Sequence, residues 1–230
     1  MSYLTLCQDL RRECSISGTG PTATTGQVGE YLRVINWVKN AWLEIQQEED
    51  DWRWMRKSFT VSATSGDGAY AYTDCTDTVS LAAISRFSRW HKTSMKSYLT
   101  SSGVGAERPL TWLPWEQFRS IYRYGTQTNA APIHVSEDPT QALVLGPIPD
   151  ATYTVSGDYQ IGPQTLSADA DTPEMPTRFH QLIVYNAMVR YGFHQVAPEA
   201  IQHAQVIAGR LHSALVRDQR PQISLGRSIA

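Results

Sequence analysis

Residues 44–61 read EIQQEEDDWRWMRKSFTV, and the hydrophobic period changes inside them. Upstream, Val28, Leu32, Ile35, Val38, Trp42 and Ile45 recur every three or four residues, with Arg33, Lys39 and Glu44 off that stripe. This spacing predicts one long amphipathic helix over residues 26–49. Downstream, from residue 59 to about 159, short apolar or alternating runs separated by turn signals predict strands over 59–61, 70–72, 84–90, 95–99, 133–136, 142–145 and 152–159. Ser65-Gly66-Asp67-Gly68 is a hairpin signal between the first two runs. In the last run Tyr153, Val155, Gly157 and Tyr159 share one face.

Working outward, Leu4, Cys7, Leu10 and Cys14 predict a first helix capped by Ser2. Residues 15–27 (SISGTGPTATTGQ) are too rich in Gly, Ser, Thr and Pro to continue it. Pro114 opens a short helix to about residue 123. Helical periodicity returns over 179–193, with Gly192 expected to loosen its end, and again from Pro198 to Leu215. The order is two helices, a β unit, two helices. It predicts an α+β protein: residues 1–55 and 174–216 as a helical bundle, 56–173 as an inserted antiparallel β-sandwich or barrel, and 217–230 as an extended tail.

Composition narrows the function classes. The chain has 230 residues, 41% hydrophobic and 18% charged, with seven Trp and eleven Tyr. That is enough apolar material for one sizeable core or two small ones, and it excludes bulk disorder and rod-like repeats. No stretch approaches the ~18 apolar residues of a membrane span, and the opening Met1-Ser2-Tyr3-Leu4 is not a signal peptide, so no membrane association is expected. Three cysteines, an odd number, argue against a disulfide framework and fit a reducing cytoplasm. The net charge of −2 hides polarised blocks: −3 over residues 1–55, −1 over 56–80, +5 over 81–123, −7 over 124–174 and +4 over 175–230. Blocks this unequal can present complementary faces to neighbouring copies.

Catalytic and metal chemistry find little purchase. Cys7 and Cys14 share a helix face but lack partners at zinc-ligand spacing, so buried structural thiols are expected. The six histidines are scattered, and Asp169-Ala170-Asp171 lacks the Gly and closing Glu of a calcium loop, which predicts helix capping. No phosphate-binding glycine loop is present, and no cofactor is expected. Glu44, Glu48, Glu49, Asp50 and Asp51 form an acidic cluster at the end of the long helix, either a solvated terminus or a negative lining that would repel DNA phosphates. Trp37 lies off its helix's apolar stripe and is a candidate contact with a neighbour, since Trp, Tyr and Arg dominate interface hot spots.

Several packing motifs occur in a telling order: Leu6-Cys7 to Cys14, then Val34-Ile35-Asn36-Trp37-Val38-Lys39-Asn40-Ala41-Trp42, Ile45-Gln46 and Trp52; Leu110, Leu113-Pro114-Trp115, Phe118 and Tyr122; Pro132, the run LVLGPIP over 143–149, Tyr153, Tyr159 and Leu166; the loop 169–176; and the helix 179–191. Together they resemble the head–tail adaptor proteins of tailed bacteriophages, in particular the short-tailed-phage adaptor family. The resemblance implies a non-enzymatic virion protein at the head–tail junction. It implies a ring, typically of twelve copies, beneath the portal protein, docking a tail or nozzle protein and extending the channel for double-stranded DNA without sequence-specific binding. On that reading Arg217, Arg220, Arg227 and Trp37 are candidate portal or neighbour contacts, with the tail ordering on assembly, and the five acids from Glu44 to Asp51 are candidate channel-facing residues. Two other classes remain open. One is a carbohydrate-directed tail enzyme or sugar-binding module using Trp112, Trp115 or Tyr122 with Glu137, Asp138, Asp150 or Asp158. The other is an adaptor unrelated to phage.

Overall fold

Ser2 starts the first helix. In the computed structural model, which describes residues 1–220, its Oγ accepts the N–H of Thr5 at 3.3 Å and α1 runs Tyr3–Glu13. The long helix α2 runs Gly29–Glu48 and buries Val34, Ile35, Val38, Ala41, Trp42, Ile45 and Gln46. The predicted stripe extended further: Val28 precedes the helix and Leu32 is exposed. The first turn of α2 is held instead by the preceding loop, the Tyr31 hydroxyl accepting Gly20 N–H and donating to Ser17 O. The remaining long helices are α4, Gln181–Gln195, and α5, Pro198–Gln219. α4 packs on α1, α2 and α5, and α1 packs on α2.

Gly192 does not loosen α4. A Cβ there would lie 2.5 Å from Ile201 Cγ1, so the glycine is what lets α5 close onto α4. The chain then turns at Val196, in the left-handed conformation at φ 55°.

The chain divides into two units, Met1–Trp54 with the residues from Pro163 onward, and Met55–Gly162. Residues 163–173, expected in the β unit, belong with the helices because polar bonds tie them there. Gln46 Nε2 donates to Gln164 O at 2.9 Å and its Oε1 accepts Gln164 N–H at 2.6 Å. The carbonyls of Asp171 and Asp169 accept the N–H groups of Tyr3 and Leu4, satisfying the open donors at the start of α1. A second boundary also moves. The extended tail expected from residue 217 begins later, because α5 continues to Gln219, with the Arg217 guanidinium donating to Ser213 O one turn back.

In the second unit, β1 (Arg56–Ala63) pairs antiparallel along its full length with β10 (Tyr153–Gln160). They form the centre of a six-stranded sheet. Its order is β3 (Thr76–Asp77), β1, β10, β5 (Lys96–Leu99), β6 (Arg108–Pro109), with β4 (Arg89–Trp90) also on β10. A four-stranded sheet has the order β2 (Ala69–Tyr70), β9 (Leu143–Gly146), β8 (His134–Glu137), β7 (Thr111–Trp112). Burial alternates along β10 as its sequence predicts, with Tyr153, Val155, Gly157 and Tyr159 inward.

Three strand expectations change. The Ser65–Gly68 turn does not make a hairpin; β1 and β2 lie in different sheets, and the turn is held by Gly66 N–H to Pro149 O and Leu145 N–H to Gly68 O. Residues 84–88 are irregular, fixed by Ile84 N–H to Cys75 O and by Phe87 stacked on Tyr72 at 5.0 Å. The pairing is not wholly antiparallel, since β7 runs parallel to β8, and neither sheet closes into a barrel. Helix α3, Trp115–Tyr122, follows Pro114 and places Phe118 against Leu113 and Val144.

Candidate functional site

The end of α2 places the predicted acids opposite the last two helices. Arg190 of α4 donates to Glu44. His212 Nε2 of α5 lies 3.3 Å from Glu48 Oε2, an ion pair whenever the ring carries its second proton. Arg220, just past α5, donates to Glu49 Oε1 at 2.6 Å. Asp50 and Asp51 follow in the turn after the helix, both exposed. Between α2 and α4 lies an open groove of about 670 Å³, lined by Glu44, Gln47, Glu48, Asn186, Val189, Arg190 and Phe193. Glu44, Glu48 and Glu49 are therefore one half of a mixed-charge surface, with their partner groups supplied by residues more than a hundred positions away.

Two groups that the sequence suggests as separate surfaces meet here. Arg220, a candidate partner contact, and Glu49, a candidate channel residue, neutralise each other. Trp37 also has a partner inside the chain: its ring is half-buried, 5.9 Å from Tyr191 and 5.5 Å from His194, with Arg33 bonded to His194 at 2.7 Å. Off the apolar stripe, it packs one side of its ring against α4 and leaves the rest exposed. Arg217 sits in the last turn of α5, and Arg227 lies outside the described residues.

The groups with chemical potential are committed to structure. Cys7, Cys14 and Cys75 are buried, and burial pushes each thiol up to about 12, far from a reactive thiolate at neutral pH. His180 is enclosed, with Nε2 3.0 Å from Met175 O and Nδ1 2.9 Å from the Met1 amine; burial lowers its pKa. Asp169 accepts both the N–H and the hydroxyl of Thr24, and Asp171 accepts the N–H groups of Ser167 and Ala168, which holds both carboxyls below their usual range. No cluster of three metal-ligating side chains occurs among the described residues.

The acids named for sugar chemistry are likewise engaged. Asp158 pairs with Arg56 and accepts the Ser58 hydroxyl; Asp138 closes its own turn on Thr140 and Ala142; Asp150 accepts the Tyr153 hydroxyl. Glu137 is pushed up by burial, an effect that Lys92 partly offsets. Of the aromatics, Trp115 stacks on Phe118, Trp112 lies beneath the Lys92 ammonium, and the Tyr122 hydroxyl bonds His134 at 2.6 Å.

One feature of the β unit escaped the sequence reading. After β3, Asp77 Oδ1 accepts the N–H groups of Val79 and Ser80, and its Oδ2 accepts the Tyr159 hydroxyl at 2.8 Å. The turn is closed by Leu81 N–H to Asp77 O and Asp77 N–H to Ala82 O. Burial alone would raise the Asp77 carboxyl, but these donors outweigh it and hold it at about 2. The signal was present, because an aspartate followed by small polar residues favours such a side-chain-capped turn.

No curated protein matches the sequence. The model of the SU10 adaptor protein family matches residues 1–227, taking in the helices from both ends and the whole β unit between them. A match of that extent rests on the order of every element rather than on one motif, and it fixes the kinship: the chain belongs to the SU10 adaptor protein family, the head–tail adaptors of short-tailed bacteriophages.

Proposed function

We propose that the chain is a structural ring subunit at the head–tail junction, about twelve copies of which sit beneath the portal, receive the tail or nozzle protein and continue the DNA channel. The observation that carries this reading is the family match over residues 1–227. The commitment of the buried thiols and most of the candidate carboxylates to packing and turns supports a structural role. Synthesis in the host cytoplasm and release of the genome through the ring belong to the same reading, in which the helices act as a bundle and the sheets as an open sandwich.

Within it, Glu44, Glu48, Glu49, Asp50 and Asp51 face the channel. Paired with Arg190, His212 and Arg220, three of these acids present alternating charge to passing DNA. Such a surface neither gathers phosphates as a basic patch would nor repels them as bare carboxylates would. Arg217, Arg220, Arg227 and the exposed part of the Trp37 ring reach the portal or a neighbouring copy, Arg220 at the border where it also meets Glu49. No membrane partner is part of this proposal, and no described helix is long and apolar enough to cross one.

Electron microscopy of the full chain, alone and mixed with the portal protein of its own phage, tests the proposal. Rings matching the portal's symmetry are expected in the mixture, and a chain that stays monomeric beside the portal would overturn it. A chain ending at Arg220 tests the tail, since a cut at Val216 would also remove the last turn of α5. Loss of portal binding with helix content retained is the expected result.

A further inference from the structure

The larger sheet of the β unit carries an apolar projection at one edge and an apolar recess at the other. β3 forms the first edge, and the Asp77-capped turn extends beyond it. That turn holds Val79 84% exposed and Leu81 78% exposed. Leu81 sits at φ 55°, a left-handed conformation that costs a non-glycine residue of the order of 1 kcal/mol. Two large aliphatic side chains thus stand in solvent on a turn fixed by a buried carboxylate. A solvated loop needs neither the strain nor the rigidity. At the opposite edge, β5 and β6 border a recess of about 310 Å³ whose lining includes Leu99, Pro109, Pro132, Ile133 and Tyr153.

Charge separates the same two edges. Between residues 69 and 85 the only charged side chains are Asp74, exposed, and Asp77, buried. At the recess, Glu107 is taken by Lys96 at 3.1 Å, Asp150 accepts the Tyr153 hydroxyl at 2.9 Å, and Arg108 is exposed at the lip.

The geometry points to a knob-in-recess contact between copies: Val79 and Leu81 of one chain seat in the Leu99–Ile133 recess of the next, with Asp74 of the first beside Arg108 of the second. The inference rests on the ring reading above and names the surfaces that join the ring. Knob and recess are different surfaces of one chain, so the contact is heterologous: it does not stop at a dimer, and it forms a ring where its rotation closes, as on the symmetric template of the portal. Both halves lie on this chain, and the exposed Asp74 beside the knob complements the exposed Arg108 at the recess, which favours a second copy as the occupant over a portal or tail protein.

Cysteine pairing tests this on the full chain assembled with the portal. The native cysteines are buried and do not compete. Under mild oxidation, L81C/I133C is expected to give a ladder of covalent multimers running up to the copy number of the ring. Either single variant gives monomers, and the two singles mixed give dimers only. Separately, Leu81→Arg is expected to cut ring yield by about tenfold or more, the scale of losing one hot-spot side chain, with far-UV circular dichroism and melting unchanged. R108E should also weaken assembly at low salt, and adding D74R to it should restore it.

Wild-type rings without an L81C/I133C ladder would overturn the inference and leave the ring standing. So would an L81R chain that assembles like wild type, or cross-linking of L81C to the portal. Absence of wild-type rings would instead overturn the ring reading, and this contact with it.

Discussion

The helical unit and the β unit treat their surface side chains in opposite ways. In the helical unit the conspicuous charges are consumed at home: Glu44, Glu48 and Glu49 on α2 meet Arg190, His212 and Arg220 from the other end of the chain. In the β unit a buried carboxylate with no formal counterion, Asp77, fixes a turn that leaves Val79 and Leu81 uncovered. Charge density in a sequence is thus a poor guide to what is available for binding, because folding can bring neutralising partners from far away. Exposed aliphatics on a rigid turn are the better guide, since none of the described residues covers them.

This contrast can be broken or sharpened by substitution. The largest effect is expected in the helical core. Trp42 is fully buried and its Nε1 donates to Gln164 Oε1 at 3.2 Å, so Trp42→Ala should lower stability by about 3–5 kcal/mol in urea titration followed by far-UV dichroism. A loss below about 1 kcal/mol would mean that α2 is not anchored where described.

Next comes Asp77. Its pKa falls from 3.8 to about 2 on folding, so its contribution is present above pH 4 and disappears as the pH drops toward 2. Asp77→Ala should cost about 2–3 kcal/mol at pH 7, and the gap from wild type should close in acid. A gap that persists unchanged at pH 1.5 would show that the carboxylate's charge is not what holds the turn.

Gly146 gives a third, smaller effect. A Cβ on it would lie 2.5 Å from the Tyr122 ring and 2.8 Å from Phe118, two planar groups packed behind it. Gly146→Ala should destabilise by about 1–3 kcal/mol, read as a lower melting temperature, with relief when Tyr122→Leu is added. The smallest effect belongs to the surface pairs. Glu44→Gln or Glu49→Gln should each cost no more than about 1 kcal/mol, less in high salt, because exposed ion pairs gain little over hydration. A large, salt-insensitive loss from either would place that acid in a dry environment and undo the contrast between the units.

Local physics explains which parts of the structure could be read beforehand. The period of 3.6 located four of the five α-helices among the described residues, Pro114 marked the start of α3, Ser2 announced the cap of α1, and alternation over residues 153–159 placed the inward face of β10, since each depends only on neighbours along the chain. Strand partnering depends on distant residues: nothing near Ser65–Gly68 reveals that β1 pairs with β10 instead of β2. For the same reason the packing of Trp37 against α4 could not be read, because the rings it meets belong to a helix some 150 residues later. The tail boundary was misplaced for a different reason. Arg217 to Gln219 lack apolar residues to mark a helix, yet residues of that kind readily prolong one already nucleated.

The helical unit is made from both ends of the chain, whereas the β unit is one unbroken stretch. On a ribosome these have different histories. All ten strands have been synthesised before α4 begins, while Trp42 and Gln46 must wait for Gln164, and the face shared by α2, α4 and α5 is complete only when the last helix has been released. A prematurely ended chain can possess its sheets and still lack that face. The surface where α5 meets α2 therefore forms only on chains synthesised through α5.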